Sequence, residues 1–254
     1  MTELFAALER LGIRAGREAI EPLLTHAQKS KLSPIQLLEA LVDLEQRERD
    51  ARNLARRTKM ATLGSISPLD RFDWNHPRNI ERELYEHLLT LDFLRKKENV
   101  LFRGPAGVGK TTLAQHLGLK ALACGHSVLF CSLSAALADL LRQESLPATE
   151  RRLRRYLSPE LLILDELGYV PCDGRAADML FQIVSERHEK RSTMITTNLP
   201  YKQWLAHFNN ASSISALVDR FAQHCHAFDI DADSWRQKAS LHSASPRPPK
   251  RSAR

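Results

Sequence analysis

Apolar residues recur at helical spacing from the start of the chain, where Leu4, Phe5, Leu8 and Leu11 repeat at steps of one turn. A second helical pattern opens at Ser33-Pro34, with serine suited to the cap and proline to the first turn. Leu37, Leu38, Leu41 and Leu44 form its expected apolar stripe. Residues 1–60 therefore read as a small helical domain. Residues 61–79 lose all period and gather Gly, Ser and Pro, which predicts a linker. Phe72 and Trp74 inside it are expected to dock on a neighbouring surface. From residue 80 to 240 short apolar runs alternate with helical patterns, at Asn99–Arg103, Ser127–Ser132, Leu161–Asp165, Ser192–Thr197 and His226–Ile230. That alternation predicts an α/β domain with a parallel sheet covered by helices. The segment 241–254, rich in Pro, Ser and Arg, is expected to be a disordered basic tail.

Directly after the first of those runs stands Gly104-Pro105-Ala106-Gly107-Val108-Gly109-Lys110-Thr111, followed by Thr112 and a helical pattern. Gly-x-x-x-x-Gly-Lys-Thr between a strand and a helix is the arrangement that cradles phosphates. Glycines let the backbone N–H groups turn inward, and the helix N-terminus adds partial positive charge. Lys110 would reach the β- and γ-phosphates of ATP, and the Thr111 hydroxyl would ligate Mg²⁺. By average residue usage a chance match has a probability on the order of one per cent.

The run Leu161-Leu162-Ile163-Leu164 reads as a strand buried on both faces, and Asp165-Glu166 stands at its carboxyl end, where ligands bind in open α/β sheets. Asp165 would hold Mg²⁺, and Glu166 would orient and deprotonate an attacking water. The run Met194–Thr197 ends in Asn198, whose amide could bond both the γ-phosphate and that water; the plainer reading is an amide capping a turn before Pro200. Arg220, near the end of a helix expected to begin at Ile214, is either a solvated side chain or a cation for charge developing on a γ-phosphate.

Charge adds a partner to this picture. Thirty-seven Lys and Arg against 30 Asp and Glu leave a net charge of +7, which suits a polyanion. Arg49, Arg52, Arg56 and Lys59 recur at steps of three and four on one helical face, and Arg151, Arg152, Arg154 and Arg155 form a second cluster. Both could contact DNA phosphates, which fixes position without reading sequence. The alternative for the first is a solvated face balanced by Glu45, Glu48 and Asp50. The longest clearly apolar run is far too short for a membrane span and no secretory stretch opens the chain, so a cytoplasmic protein without membrane contact is expected. The triplet His224-Cys225-His226 is not expected to hold a metal, because strand neighbours point to opposite faces.

With these residues in place, the chain resembles the IstB-like branch of the AAA+ ATPases, the helper ATPases of insertion-sequence transposition. The likeness runs through Phe72-Asp73-Trp74, Gly104 to Leu113, Leu162 to Tyr169, Ser185-Glu186-Arg187, Thr196 to Pro200, Trp204, Asp219-Arg220 and Ser234-Trp235-Arg236. It departs at Thr112, where the family often has His, and at Cys172, where Leu is common. The resemblance implies an AAA+ P-loop fold of five parallel strands, with the Asn198 strand between the P-loop strand and the Asp165 strand. It implies ATP-driven assembly of a homo-oligomeric ring or filament on duplex DNA, Arg220 acting in trans, a second sensor-like role for Arg236, and a partner transposase.

Other readings share parts of this pattern. A replicative helicase loader of the DnaC kind would have the same core but a helicase partner and a preference for single strands. An architectural DNA-binding protein would keep ATP as a structural ligand. A small-molecule kinase fits worst, since no acceptor pocket or Arg-rich lid is evident in the sequence.

Overall fold

Three helices account for the amino-terminal apolar periodicity: α1 spans Thr2–Arg10, α2 Arg17–Lys29 and α3 Pro34–Ala61. The computed structural model describes residues 2–66, 69, 72, 74, 81–169, 173–209 and 211–230. Cys172, Arg236 and the expected tail from Leu241 lie outside them. The chain divides into two compact units, Met1–Lys59 and Met60–Arg254.

In the first unit Ser33 caps α3 as a reciprocal box: its Oγ accepts from Gln36 N–H at 3.3 Å, while Gln36 Oε1 accepts from Ser33 N–H at 2.9 Å. Glu45 of α3 is buried and accepts from the backbone N–H groups of Arg14 and Ala15, both at 2.7 Å, so one carboxylate ties the α1–α2 connection to α3. Burial alone would raise its pKa. The two backbone donors, with Arg52 at 3.1 Å and Arg49 at 3.4 Å, outweigh it and hold the carboxyl below its ordinary range. The expected apolar stripe is revised at one position. Leu38 is 61% exposed and lies with Ile35 and Val42 on the outer face, leaving Leu37, Leu41 and Leu44 half-buried.

The second unit opens with α4 (Arg82–Leu88) and α5 (Asp92–Lys96) and then alternates strand and helix. In order come β1 (Asn99–Arg103), α6 (Lys110–Ala123), β2 (Val128–Ser132), α7 (Leu133–Leu141), α8 (Leu146–Leu157), β3 (Leu161–Leu167) and α9 (Gly174–Arg187). They are followed by β4 (Ser192–Thr197), α10 (Tyr201–His207), α11 (Ser213–Ala222) and β5 (Cys225–Asp229). All five strands are parallel in the order β2-β3-β4-β1-β5, which puts the strand leading to Asn198 between the P-loop strand and the Asp165 strand. Helices cover both faces. One core joins α4, α5 and α6 to Val100, Phe102 and Ile163, and the other joins α7, α9 and α11 to Leu101, Leu162 and Leu164. Burial on both faces explains why the strand sequences are continuously apolar.

The segment expected as a linker contributes to this core. Ala61 and Leu63 are buried in it, and Phe72 and Trp74 pack against it. The Trp74 ring lies tilted at 5.4 Å from that of Tyr85, whose hydroxyl donates to Leu113 O of α6.

At the amino ends of the strands, Arg187 of α9 is 1% exposed and pairs with no carboxylate among the described residues. Its guanidinium donates instead to the carbonyls of Tyr156, Leu157, Pro159, Glu160 and Ser192 and to Thr193 Oγ1. One side chain thus satisfies the carbonyls ending α8 and those entering β3 and β4. Arg187→Met is expected to destabilise the protein by about 3 kcal/mol or more, because it leaves several buried carbonyls unpaired. Urea unfolding measures this; a loss under about 1 kcal/mol would show that water replaces the guanidinium.

Candidate functional site

The carboxyl ends of β1, β3 and β4 converge on one set of side chains. Residues 104–109 turn from β1 into α6, and Gly109 at the helix cap has φ +94°. A side chain at Gly109 would be strained there and would also meet Phe72, whose ring lies 2.4 Å from the position a Cβ would take. No side chain caps α6, so its first N–H groups face the loop. Lys110 is buried, and its Nζ donates to Gly104 O at 2.7 Å and Pro105 O at 2.6 Å, inside the loop. The Thr111 hydroxyl donates to Asp165, 3.0 Å from Oδ1 and 3.1 Å from Oδ2. The two residues expected to hold a metal are therefore adjacent, although Thr111 and Asp165 are 54 positions apart in sequence.

β3 is irregular where its acids stand. Leu164 pairs with Ile195 and Leu167 with Thr197, so three steps along β3 match two along β4. The extra residue is a bulge in the Asp165-Glu166 pair, and Glu166 adopts φ +65°. A left-handed conformation costs a non-glycine residue about 1–2 kcal/mol. Two threonines of β4 clamp the bulge. Thr196 Oγ1 accepts from Glu166 N–H at 2.9 Å and donates to Asp165 Oδ1 at 2.5 Å, while Thr197 Oγ1 donates to Leu167 O at 2.7 Å. The result is a buried Asp165 beside an exposed Glu166.

Asn198 follows β4 directly and is exposed. Its Oδ1 lies 2.7 Å from where a Cβ at Gly168 would be, and Gly168 has φ +107°. Glycine in the Asp-Glu-Leu-Gly run thus leaves room for the amide at the rim of the cluster.

The other expected residues lie elsewhere. Arg220 of α11 donates to Ser185 Oγ, and its guanidinium lies 4.9 Å from the centre of the Phe181 ring, both on α9. Arg152 is bound to Asp139 at 2.6 Å, and the Tyr156 hydroxyl donates to the same carboxylate at 2.5 Å. The Arg152 hydrogen bond is the largest influence on Asp139 and holds its carboxyl below the ordinary range. Arg152 therefore fastens α8 to α7, whereas Arg151, Arg154 and Arg155 are exposed. Arg49 and Arg52 share Glu45, and Arg56 and Lys59 are exposed.

A family model described as IstB-like ATP binding protein matches residues 6–243. The chain belongs to that family. Among its IstB-like relatives, the ATP-binding protein of insertion sequence IS21 from Pseudomonas aeruginosa is 34% identical, over 94% of this chain and 90% of its own. The corresponding protein of IS5376 from Geobacillus stearothermophilus is 30% identical, over 89% and 90%. The crystal structure of DnaI aligns with a TM-score of 0.53 at 18% identity, covering 68% of this chain and 90% of that one. Domain III of the Thermotoga maritima replication initiation protein DnaA aligns at 0.51 and 18%, covering 72% and 78%. At such identities the likeness concerns the fold, which is the AAA+ P-loop fold in this IstB-like ATP-binding protein.

The IstB-like loop fits a magnesium nucleotide on its own geometry. Uncapped N–H groups and Lys110 suit phosphate oxygens, and the paired oxygen donors of Thr111 and Asp165 suit a hard cation. Two features escaped the sequence reading. Thr196 links Asp165 to Glu166, and Phe72 covers Gly109; position in the chain signals neither.

Proposed function

We propose that this protein is a DNA-binding ATPase that assembles with ATP on duplex DNA and assists a partner transposase in choosing an insertion target. The observation that carries the chemistry is the Lys110, Thr111, Asp165 and Glu166 cluster at the strand ends of an IstB-like chain. The setting comes from relatives named as ATP-binding proteins of insertion sequences.

In this reading the loop Gly104-Pro105-Ala106-Gly107-Val108-Gly109-Lys110-Thr111-Thr112 wraps the phosphates with backbone N–H groups, and Lys110 turns its ammonium to the β- and γ-oxygens. Thr111 and Asp165 hold Mg²⁺, which when bound neutralises charge on the β- and γ-phosphate oxygens. Glu166, exposed beside the buried Asp165, takes the proton of the attacking water, and Asn198 orients that water. Arg220 sits near the end of α11 on an exposed position and serves the site of a neighbouring subunit. Of the two basic clusters, Arg56, Lys59, Arg151, Arg154 and Arg155 carry most of the phosphate contact, since Arg49, Arg52 and Arg152 are engaged with Glu45 and Asp139. Such contacts suit a protein that must accept many target sequences.

Binding to random-sequence duplex and to single strands, with and without Mg-ATP and across a salt series, tests this reading. Cooperative, ATP-dependent binding to duplex that weakens steeply with salt is expected. Arg154→Ala should lower the salt slope by about one, because a lost phosphate contact releases about one counterion fewer. Arg152→Ala should instead lower stability, through the freed Asp139. Preference for single strands would move the reading to a helicase loader, and no DNA binding would exclude both.

A further inference from the structure

The cluster contains one buried polar group that no phosphate, metal or water role uses. Thr196 is 1% exposed on the central part of the sheet, and its hydroxyl makes two hydrogen bonds of opposite sense. It donates to Asp165 Oδ1 at 2.5 Å and accepts the Glu166 N–H at 2.9 Å. Both partners are the consecutive acids of β3, and the second occupies the left-handed turn of the bulge.

We infer that Thr196 is a positioning residue for hydrolysis, its hydroxyl fixing Asp165 and the strained Glu166 backbone in one geometry. The inference rests on the ATPase reading above, in which Asp165 and Glu166 have different tasks. A carboxylate that serves a cation must keep one oxygen directed toward it, and Asp165 is held by Thr111 from the start of α6 and by Thr196 from the neighbouring strand β4. The Glu166 amide, displaced from the β-ladder by the bulge, would otherwise lack a partner where the sheet is buried. With the hydroxyl in place the Glu166 side chain leaves the sheet in one direction. Without it the bulge can relax toward a regular ladder, which turns successive side chains to opposite faces. Other residues of β4 cannot substitute: the Thr197 hydroxyl is spent on Leu167 O and on the N–H of Leu199. Thr196 touches neither the loop nor the expected position of the reacting atoms through any of these bonds, so its effect runs entirely through the two acids.

Thr196→Val keeps the shape and β-branching but removes the hydroxyl; Thr196→Ser keeps the hydroxyl. In the nucleotide-free protein, hydrogen exchange at the Glu166 amide should be at least about tenfold faster in Thr196→Val and within about threefold of wild type in Thr196→Ser. ATP turnover should fall about 10- to 100-fold in Thr196→Val with KM within about threefold, and recover in Thr196→Ser. If Thr196→Val does not fold, Thr196→Ala gives the same comparison. Unchanged exchange and turnover in the hydroxyl-free variant would overturn the inference, and so would a Thr196→Ser variant as impaired as Thr196→Val. Glu166→Gln measured alongside separates the two levels. If Glu166→Gln abolishes turnover while Thr196→Val leaves it at the wild-type level, the positioning role fails alone. If neither lowers turnover, the ATPase reading fails and the inference falls with it.

Discussion

Replacing Glu166 by glutamine is expected to lower ATP hydrolysis about 10²- to 10⁴-fold, the range lost when a positioned general base is removed. Nucleotide binding should stay within about twofold, because the loop, Lys110 and the Thr111–Asp165 pair are untouched. The substitution is nearly isosteric, and the Glu166 N–H keeps its bond to Thr196 Oγ1, so the left-handed turn persists. The side chain is exposed and makes no ion pair among the described residues, which limits any loss of stability. Phosphate release and fluorescent-nucleotide titration on the same preparation measure the two quantities. Equal turnover in variant and wild type would favour a structural ATP, as in an architectural DNA-binding protein.

Arg220→Ala is expected to have the larger effect, a loss of about 10³-fold or more, as for other arginines that meet developing phosphate charge. Its partners Ser185 and Phe181 belong to α9 of its own subunit and can hold the guanidinium ready at the surface. The decisive experiment mixes Arg220→Ala with Glu166→Gln. Neither should turn over by itself, yet a neighbour pair can hold an intact Glu166 in one subunit and an intact Arg220 in the next. A random equal mixture forms such a pair at about a quarter of its head-to-tail interfaces. Recovery toward that level places the arginine in trans. A mixture no more active than its parts would leave Arg220 as a residue that holds α11 to α9.

Much of this site was legible because its chemistry is local in sequence. The loop and its lysine are consecutive, and Asp165-Glu166 follows four apolar residues that read as a strand buried on both faces. Strand order came from the family resemblance, since parallel order is fixed by crossovers that periodicity does not encode. The bulge was not legible. It depends on a register mismatch between β3 and β4 and on a threonine thirty residues beyond Glu166. The basic clusters were legible as clusters but not as individuals. Arg152 and Arg154 look alike in a helical pattern, and only the packing of α7 beside α8 gives one of them Asp139. Leu38 shows the same limit, because Leu37 and Leu38 both fit a broad apolar stripe and only the packing of the helix decides which is inside. In the segment after α3 the expected docking of Phe72 and Trp74 is found, since both pack against the core of the second unit. The segment's Gly, Ser and Pro predict a linker, and its apolar residues pack on α6 and the loop, where Leu63 also accepts a hydrogen bond from Gln115.

ATP-driven assembly on duplex DNA is tested most directly by sedimentation velocity. The chain would be run alone, with Mg-ATP, with a random-sequence duplex, and with both, using Glu166→Gln as well to prolong the ATP state. Large complexes that form only when nucleotide and duplex are both present, and that Lys110→Ala fails to form, are the expected result. Monomers or small oligomers of unchanged size under all four conditions would contradict it.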